Sequence, residues 1–421
     1  MASAKSAKRH LLAVILGLAT AASLYGCAAW GPASDAADRP IQLGPRPYYL
    51  LDLLEEGPLR RQLESCRNGP FRPTRFSIGH RGAPLQFPEH TLASYQAAAV
   101  LGAGTLECDA TFTRDRALVC RHAQCDLATT TNILSTPLAD RCRVPFAASN
   151  AGQPARAECC THDFDLEELR RLEARMDAAN GSAMRPEDFA SSTPAMRTDL
   201  YTTGQGIVSH VESIALFERL GVAMTPELKA PQTEMPFDGD YTAARYADQL
   251  VAEYRAAGIP PDRVRLQSFD PDVIRHWIRT TPDFGARAVW LIDPTPATFA
   301  LDAASLAALY EEGFRTLAPP TPMLLALNED GDLVASDFAE RVRAAGFEII
   351  AWTLERSGRL RDGTAEGRNR DFYLDPVLPA LQNDGDVYRV IHALREQVGV
   401  QAIFSDWPAA VSFYANCMGL D

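Results

Sequence analysis

The stretch that decides the fold runs from residue 75 to residue 113 and reads RFSIGHRGAPLQFPEHTLASYQAAAVLGAGTLECDATFT. Its beginning, Arg75 to Gly79, predicts a β-strand, and Thr91 to Val100 predicts a helix. Thr105 to Thr113 predicts a second strand. A strand, a helix and another strand in this order form the unit from which parallel sheets are built, with the helix as the crossover.

The same alternation continues along the rest of the chain. The further predicted strands are Ala117–His122, Val222–Leu228, Val264–Ser268, Ala286–Ile292, one near Thr316, Glu348–Thr353 and Ala402–Ser405. The predicted helices among them include Ser209–Leu220, Tyr241–Ala257 and Pro271–Arg279. About eight such units within one domain-length stretch favour an α/β fold closed into a (β/α) barrel.

One long segment, from Ala123 to Thr203, interrupts this alternation. It contains four cysteines, scattered Thr, Ser and Pro residues, and one charged stretch, Leu166 to Met176, that predicts a helix. Insertions of this length in a barrel are carried on loops, and loops at one end of the barrel hold the active site. We therefore predict that residues 123–203 form a disulfide-stapled cap over the mouth of the barrel.

The N-terminus has the pattern of an export signal. A short basic region is followed by a continuous run of apolar and small residues from Leu11 to Ala22, and then by Gly26 and Cys27. The run is short for a membrane span. The pattern resembles a bacterial lipobox, so residues 1–26 are predicted to be a lipoprotein signal peptide and Cys27 the lipidated residue. The alternative is an ordinary signal peptide with Cys27 as a plain thiol. The lipoprotein interpretation predicts a membrane-anchored protein of the bacterial cell envelope.

The remaining sequence is predicted to contain a tether and N-terminal arm at residues 27–70 and the barrel at residues 71–415. Apart from Cys27, eight of the nine cysteines remain, and an even set in an exported protein predicts disulfides. A zinc site is the weaker alternative, because no Cys-x-x-Cys pair with a matching second pair is present.

The bulk composition sets limits on function. A hydrophobic fraction of 46% is enough to bury a large core. The formal net charge of -13 argues against a nucleic-acid partner, because such proteins usually carry a basic surface. It is compatible with an enzyme that uses a cation to bind an anionic small molecule. The sequence does not indicate an oligomeric state.

Polar residues cluster where the predicted strands end. In a (β/α) barrel these ends meet at the active site. The candidate residues at or near strand ends are His80, Arg81, Glu89, Glu107, Asp109, His122, Glu227, Lys229, Gln267 and Trp352.

Three of these candidates are carboxylates that suit a metal ion. Glu107 and Asp109 lie two residues apart, so they share one face of a strand. Glu227 would add a third carboxylate from a neighbouring strand. Like charges this close repel each other unless a cation lies between them, and Mg²⁺ and Ca²⁺ both prefer oxygen ligands. The alternative for any single carboxylate is an exposed strand face with salt bridges.

Two histidines flank this carboxylate cluster. Residues 114–116 are predicted to turn the chain so that His122 returns antiparallel to Glu107, while His80 ends the first strand. Cleavage of a phosphodiester needs a base and an acid, and histidine serves both roles near neutral pH. Arg81 can bind phosphate oxygens through paired hydrogen bonds, and Lys229 can add a point charge. We therefore predict a metal-dependent phosphodiesterase.

Eight motifs occur in a fixed order: Gly79-His80-Arg81-Gly82, Pro88-Glu89-His90-Thr91, Glu107-Cys108-Asp109, Arg121-His122, Glu227-Leu228-Lys229, Gln267-Ser268-Phe269, Trp352-Thr353 and Ser405-Asp406-Trp407-Pro408. This series, spanning about residues 75–410, resembles that of the glycerophosphodiester phosphodiesterase family. The resemblance implies a TIM-type (β/α)8 barrel that hydrolyses glycerophosphodiesters to an alcohol and sn-glycerol 3-phosphate with one divalent cation, Mg²⁺ or Ca²⁺.

The resemblance also implies roles for individual residues. His80 and His122 match the catalytic pair. Glu107, Asp109 and Glu227 match the metal ligands. The substrate-binding positions are Arg81, Glu89, Lys229, Gln267 and Trp352, of which Glu89 matches a carboxylate close to the metal and Trp352 a residue that packs against the glycerol.

The sequence departs from the family pattern at two positions. His90 stands where Asn is usual, and Ala123 where Asp is usual. Neither change removes a ligand or an acid–base residue, and both are expected to alter hydrogen bonds around the site. The cysteine-bearing insertion indicates a specialised branch. Two alternative functions follow: a phospholipase D-like enzyme that acts on intact phospholipids, and a non-catalytic surface lipoprotein that binds a ligand.

Overall fold

The computed structural model describes residues 41–194, 196–357, 360 and 372–421. The predicted signal peptide, the lipidation site Cys27 and the first part of the predicted tether lie outside these residues. Within the described ranges, no helix combines the length and the apolar character needed to cross a membrane.

The described strands are β1 (Thr74–Gly79), β2 (Ala103–Phe112), β3 (Leu118–Cys120), β4 (Val144–Ala147), β5 (Arg156–Glu158), β6 (Ala223–Leu228), β7 (Gln267–Ser268), β8 (Val289–Leu291), β9 (Thr316–Ala318), β10 (Leu325–Leu327), β11 (Leu333–Ala335), β12 (Glu348–Leu354) and β13 (Ala402–Ser405). Eight of them form the barrel, in the order β1, β2, β6, β7, β8, β9, β12 and β13, and the pairing of β1 with both β2 and β13 closes it. Every neighbouring pair around the barrel is parallel. The predicted (β/α)8 barrel is confirmed.

The described α-helices are Arg46–Leu53, Pro58–Ser65, Leu92–Val100, Leu127–Thr130, Leu166–Leu169, His210–Leu220, Ala243–Ala256, Pro271–Thr280, Pro282–Gly285, Pro296–Phe299, Ala303–Glu311, Asp337–Ala344, Val387–Ala393 and Ala409–Cys417. Most of the longer ones lie between consecutive barrel strands and act as crossovers, whereas Arg46–Leu53 and Pro58–Ser65 precede β1 and Ala409–Cys417 follows β13. Thr91 begins the first crossover helix, because its hydroxyl accepts a hydrogen bond from the backbone N–H of Ser94. A 3₁₀ or π turn follows or precedes several of these helices.

The barrel interior contains its own apolar cluster. Its members lie on five strands, and they are Ile78, Val289, Leu291, Ala318, Ile350, Ala402 and Phe404. The larger core lies between the sheet and the surrounding helices, where Trp277 and Tyr246 are fully buried. The interior cluster fills the barrel below the carboxyl ends of the strands and forms the apolar floor beneath the polar side chains at the mouth.

The hairpin of β2 and β3 is the exception to the parallel order. Ala110 pairs with Cys120 in antiparallel register, and a disulfide joins Cys108 to Cys120. The backbone N–H of Arg121 then donates to the carbonyl oxygen of Asp109 at 2.7 Å. The predicted antiparallel return is confirmed, and it brings the residue after Arg121, His122, back to the level of Glu107 and Asp109.

The insertion has a small core of its own. Its buried apolar residues include Leu127, Ile133, Phe164 and Phe189, and they form a cluster largely separate from the barrel core. The disulfides Cys125–Cys160 and Cys142–Cys159 lie within it. The insertion is therefore stapled by disulfides, as predicted.

One prediction for the insertion is wrong. The expected helix Leu166–Met176 ends at Leu169. Beyond it the backbone pairs with other parts of the insertion: Ala174 forms a bridge with Thr131, and its N–H donates to Gln205 at 2.9 Å. These non-local hydrogen bonds override the helical preference of the charged stretch.

The N-terminal arm packs against the barrel. Its two helices, Arg46–Leu53 and Pro58–Ser65, bury Leu50, Leu51 and Leu63 in the main core. A disulfide joins Cys66 to Cys417 at the end of the last helix. All eight cysteines after Cys27 are thus paired, which agrees with the predicted disulfides and not with the zinc alternative.

The arm offers a direct test of this packing. Leu50 is 0% exposed, whereas Leu53 on the same helix is 38% exposed. We expect Leu50→Ala to lower the free energy of unfolding by about 2–5 kcal/mol, because it leaves a cavity in the core. The matched control Leu53→Ala should change it by no more than about 0.5 kcal/mol. Urea denaturation of the two variants measures both values. A loss of unfolding free energy in Leu50→Ala as small as that in Leu53→Ala would show that the arm is not part of the folded core.

Candidate active site

The carboxyl ends of the barrel strands surround a cavity of about 370 Å³. Its lining residues are His80, Arg81, Glu107, His122, Glu227, Phe269, Leu291, Asp293, Trp352, Arg356, Tyr373 and Phe404. Six of the residues predicted from sequence are among them. Asp109, Glu89, Lys229 and Gln267 do not line the cavity, but each of them contacts a residue that does.

Three carboxylates meet beside this cavity. Oxygen atoms of Glu107, Asp109 and Glu227 all lie within 4.8 Å of one another, and all three side chains are buried. The strand register produces this arrangement, because Asp109 of β2 pairs with Glu227 of β6. The sequence prediction that these three residues lie together agrees with the structure.

The electrostatics of the three carboxylates call for a cation. Burial, together with the charges of Asp109 and Glu227, raises the pKa of Glu107 well above its usual value. Burial raises the pKa of Glu227 to about 7. The Oδ1 atom of Asp109 is buried without a hydrogen-bond partner among the described residues. Buried oxygen ligands from three carboxylates fit a hard divalent cation, which would offset their repulsion.

Two neighbours hold Glu107 in place. The side-chain amide of Gln267 donates to Oε1 at 2.8 Å, and the backbone N–H of Arg81 donates to Oε2 at 3.0 Å. Gln267 reaches this position because it pairs with Glu227 across β6 and β7. The carboxylate of Glu107 is thereby oriented by strand β7 and by the loop that follows β1.

His90, one of the two departures from the family pattern, contacts Asp109. The ring is fully buried, with Nε2 at 2.9 Å from Asp109 Oδ2 and Nδ1 at 2.9 Å from the hydroxyl of Tyr95. Burial lowers the pKa of His90, which favours the neutral ring. When the hydroxyl of Tyr95 donates a hydrogen bond to Nδ1, the proton of the neutral ring lies on Nε2. Nε2–H then donates to Asp109. The histidine therefore orients a predicted metal ligand.

His80 is fixed by a residue to which sequence reasoning had assigned no role. Its Nδ1 lies 2.6 Å from Oδ1 of Asp406, and its Nε2 lies 3.9 Å from Oε2 of Glu107. Asp406 is completely buried and directly follows β13. An acidic residue immediately after a barrel strand is the signal that would have identified it. Because Nδ1–H donates to Asp406, Nε2 is the ring atom directed towards the cavity.

Asp406 also accepts hydrogen bonds from two arginines. Arg356 donates to its Oδ2 at 2.9 Å, and Arg197 of the insertion donates to the same atom at 3.3 Å. Although burial acts in the opposite direction, Arg356 and His80 lower the pKa of Asp406 to about 2. The charge on Asp406 is therefore permanent at neutral pH. Burial and the nearby Arg81 lower the pKa of His80 to about 4.

His122 lies after the antiparallel hairpin and lines the same cavity as His80. It is half-buried, and among the described residues its ring makes no hydrogen bond. Burial, followed by the charges of Arg81 and Lys229, lowers its pKa. At the second departure from the family pattern, the backbone N–H of Ala123 donates to the carboxylate of Asp126 at 3.1 Å. Asp126 thus stabilises the turn that follows His122.

The two predicted phosphate-binding cations border the carboxylates. Arg81 donates to Glu89 at 3.0 Å, and its Nε lies 3.6 Å from Asp109 without a hydrogen-bond partner among the described residues. Lys229 Nζ lies 2.6 Å from Glu227. Both cations therefore lie at the edge of the carboxylate cluster.

Trp352 forms an apolar wall of the cavity. Its indole N–H donates to the carbonyl oxygen of Ala318 at 2.8 Å, which fixes the ring. The rings of Phe269 and Tyr373 pack edge-on against it, with centroids at 5.8 and 6.1 Å. Aromatic rings and ionisable groups thus line the same cavity.

The family model for the glycerophosphoryl diester phosphodiesterase family matches residues 80–410. The chain belongs to this family. It is therefore a phosphodiester hydrolase that acts on glycerophosphodiesters. The match covers every site residue described above from His80 to Asp406.

Two relatives resemble parts of the chain. A protein of Arthroderma benhamiae named "Extracellular protein" is 45% identical over 249 residues, which cover 58% of this chain and 100% of that protein. A Mycobacterium tuberculosis protein named "Probable glycerophosphodiester phosphodiesterase 1" is 53% identical over 47 residues, which cover 11% of this chain and 17% of that protein. The second match is confined to a short segment.

Solved structures of this family share the fold. A glycerophosphoryl diester phosphodiesterase structure from Silicibacter pomeroyi superposes with a TM-score of 0.53 at 19% identity, covering 86% of this chain and 98% of that one. One from Agrobacterium tumefaciens superposes with a TM-score of 0.50 at 15% identity, covering 81% and 97%. At these identities the likeness supports the barrel fold and not the detailed chemistry.

The contact between His80 and Asp406 predicts a specific kinetic effect. We expect Asp406→Asn to lower kcat roughly 10- to 100-fold, because the residue that orients a reacting group loses its charge. Initial-rate kinetics on a glycerophosphodiester measure the change. Asp386→Asn, a change at a buried carboxylate outside the cavity, serves as the control and should leave kcat unchanged. An unaltered kcat in folded Asp406→Asn protein would contradict the assigned role of Asp406.

Proposed function

We propose that this glycerophosphodiesterase uses one divalent cation, Mg²⁺ or Ca²⁺, and two histidines to release sn-glycerol 3-phosphate and an alcohol. One observation carries the proposal: three buried carboxylates meet at a cavity that His80 and His122 both line. Family membership supplies the reaction class. The assignment of individual roles rests on the geometry described above.

Glu107, Asp109 and Glu227 would hold the cation. When bound, it neutralises charge on the phosphoryl group and so favours attack at phosphorus. Arg81 lines the cavity beside these residues and can donate to the phosphate oxygens. Lys229 adds a positive charge 2.6 Å from the carboxylate of Glu227. Glu89, through its hydrogen bond to Arg81, fixes the direction of that guanidinium.

The two histidines carry out the proton transfers. His80 is held through Nδ1, which leaves Nε2 free to exchange a proton with a group in the cavity. His122 has no competing hydrogen bond among the described residues. Hydrolysis adds water to phosphorus and breaks one P–O ester bond. One imidazole accepts a proton from the attacking oxygen, and the other donates one to the leaving alkoxide.

The aromatic wall fits the glycerol part of the substrate. Trp352, with Phe269 and Tyr373 packed against it, presents an apolar surface to the cavity. Carbon atoms of glycerol pack against this surface when the phosphate lies by Arg81. Gln267 contributes indirectly, because it orients Glu107.

We also propose that the chain is exported and anchored to the cell envelope through Cys27. The sequence pattern of residues 1–27 supports this, and so do four disulfides, which persist in oxidising compartments. The name of the Arthroderma benhamiae relative is also consistent with export.

Activity on a defined substrate tests the reaction. With Mg²⁺ or Ca²⁺, the purified chain should release glycerol 3-phosphate from glycerophosphocholine. His80→Ala and His122→Ala should each lower kcat by roughly 10²–10⁴-fold. His276→Ala, which removes a histidine paired with Asp248 on an outer helix, is the control and should retain full activity. Faster cleavage of intact phospholipids than of glycerophosphocholine would instead favour the phospholipase D-like alternative.

Removal of the cation tests the metal site. A chelator should abolish activity, and Mg²⁺ or Ca²⁺ should restore it and raise Tm, because the ion relieves repulsion between buried carboxylates. Glu107→Gln should weaken cation binding, measured by calorimetry, roughly 10- to 100-fold. Glu340→Gln, the same change on an exposed helix surface, should have no effect. Full activity in the presence of the chelator would rule out the metal-dependent reaction.

A further inference from the structure

One segment of the insertion binds directly to the active-site loops. Residues 196–201, here called the strap, lie against the loop that follows β1. The backbone N–H of Thr198 donates to the carbonyl oxygen of Leu85 at 3.0 Å. The ring of Tyr201 stacks on Phe87, with centroids 4.7 Å apart and an interplanar angle of 16°. The same loop begins at His80 and includes Glu89 and His90.

The strap also contacts the loop that follows β13, the last barrel strand in the sequence. Arg197 lies only 5% exposed and donates to Oδ2 of Asp406, the residue after β13, at 3.3 Å. Its Nε atom is buried and has no hydrogen-bond partner among the described residues. β1 and β13 are neighbours in the barrel, so the strap joins their two loops. His80 belongs to the loop after β1, and it is hydrogen-bonded to Asp406 in the loop after β13.

Neutralisation of the Asp406 charge does not by itself explain why Arg197 is buried beside this carboxylate. Arg356 already lies 2.9 Å from the same oxygen of Asp406. Burying a second guanidinium requires further compensation, because desolvation of a cation is costly. Arg197 instead helps to orient Asp406. With two donors on Oδ2, rotation of the Asp406 carboxylate is restricted and Oδ1 is directed towards His80. Arg197 is not among the residues that line the cavity, so it acts behind the reacting groups.

We propose that Arg197 is a positioning residue supplied by the insertion, and that through Asp406 it holds His80 with Nε2 facing the cavity. The insertion therefore completes the active site and is more than a cover over it. This inference rests on the proposed catalytic role of His80. It predicts that changes at Arg197 affect the chemical step and leave substrate binding intact.

Kinetics of Arg197 variants test the proposal. In Arg197→Ala, kcat should fall roughly tenfold with KM unchanged, which is the lower end of the range for losing a residue that orients a reacting group. Arg197→Lys keeps a positive donor and should recover part of the lost kcat. Arg185→Ala, which removes an exposed arginine of the insertion paired with Asp188, is the matched control and should behave as the wild type. If Arg197→Ala yields too little folded protein, Arg197→Gln, which keeps a shorter side chain with an uncharged N–H donor, replaces it and should also lower kcat with KM unchanged.

A double-mutant cycle shows whether Arg197 acts through Asp406. In the Asp406→Asn background, Arg197→Ala should lower kcat by less than about twofold, because residues in one network are not additive. If the fold-losses in kcat of Arg197→Ala and Asp406→Asn multiply in the double variant, the two residues act independently and the proposal is wrong. A rise in KM with kcat unchanged in Arg197→Ala would also overturn it. A wild-type enzyme that cleaves no glycerophosphodiester would refute the proposed function itself. An active wild type with fully active Arg197 variants would refute only the role of Arg197.

Discussion

The burial of three carboxylates at the mouth of the barrel is the constraint on which the site depends. Glu107, Asp109 and Glu227 are too close together to be charged without compensation. The groups around them are mostly donors or cations: Gln267 and the Arg81 backbone at Glu107, His90 at Asp109, and Lys229 at Glu227. These donors orient the carboxylates, but within the described part of the chain the buried Oδ1 atom of Asp109 has no hydrogen-bond partner. The site is thus built for a ligand that contributes positive charge, and the protein alone satisfies it only in part.

The parallel barrel makes this arrangement possible through its register. Asp109 pairs with Glu227, and Glu227 pairs with Gln267, so side chains from three neighbouring strands lie at one level. Alternation along β2 directs Glu107 and Asp109 to the same side. A parallel strand after β2 would have required a crossover to the opposite end of the barrel before the chain returned to the mouth. The antiparallel hairpin, with its Cys108–Cys120 disulfide, instead returns His122 to the end at which His80 lies.

Local patterns were sufficient to predict the barrel and the residues at its mouth. Apolar runs of strand length and helical periodicity depend on neighbours a few residues away, and the carboxylate pair at Glu107 and Asp109 lies within one strand. The contact of His80 with Asp406 spans 326 residues and exists only because β1 and β13 close the barrel. The partners of His90 depend on its left-handed backbone, with φ of 58°, which no local pattern specifies. The stretch 166–176 has helical composition, yet cross-chain pairing at Ala174 determines its structure.

The insertion illustrates why a disulfide-stapled loop suits a positioning role. Holding a long arginine side chain in one conformation loses about 1.5–2 kcal/mol of rotamer entropy, and ordering each backbone residue loses more. Cys125–Cys160 and Cys142–Cys159 restrict the insertion before it meets the barrel, and its small apolar core restricts it further. The strap then loses less conformational entropy when it binds the loops beside His80. A flexible loop of the same length would place Arg197 near Asp406 for a smaller part of the time, so the staples contribute to the geometry of His80 although they do not touch it.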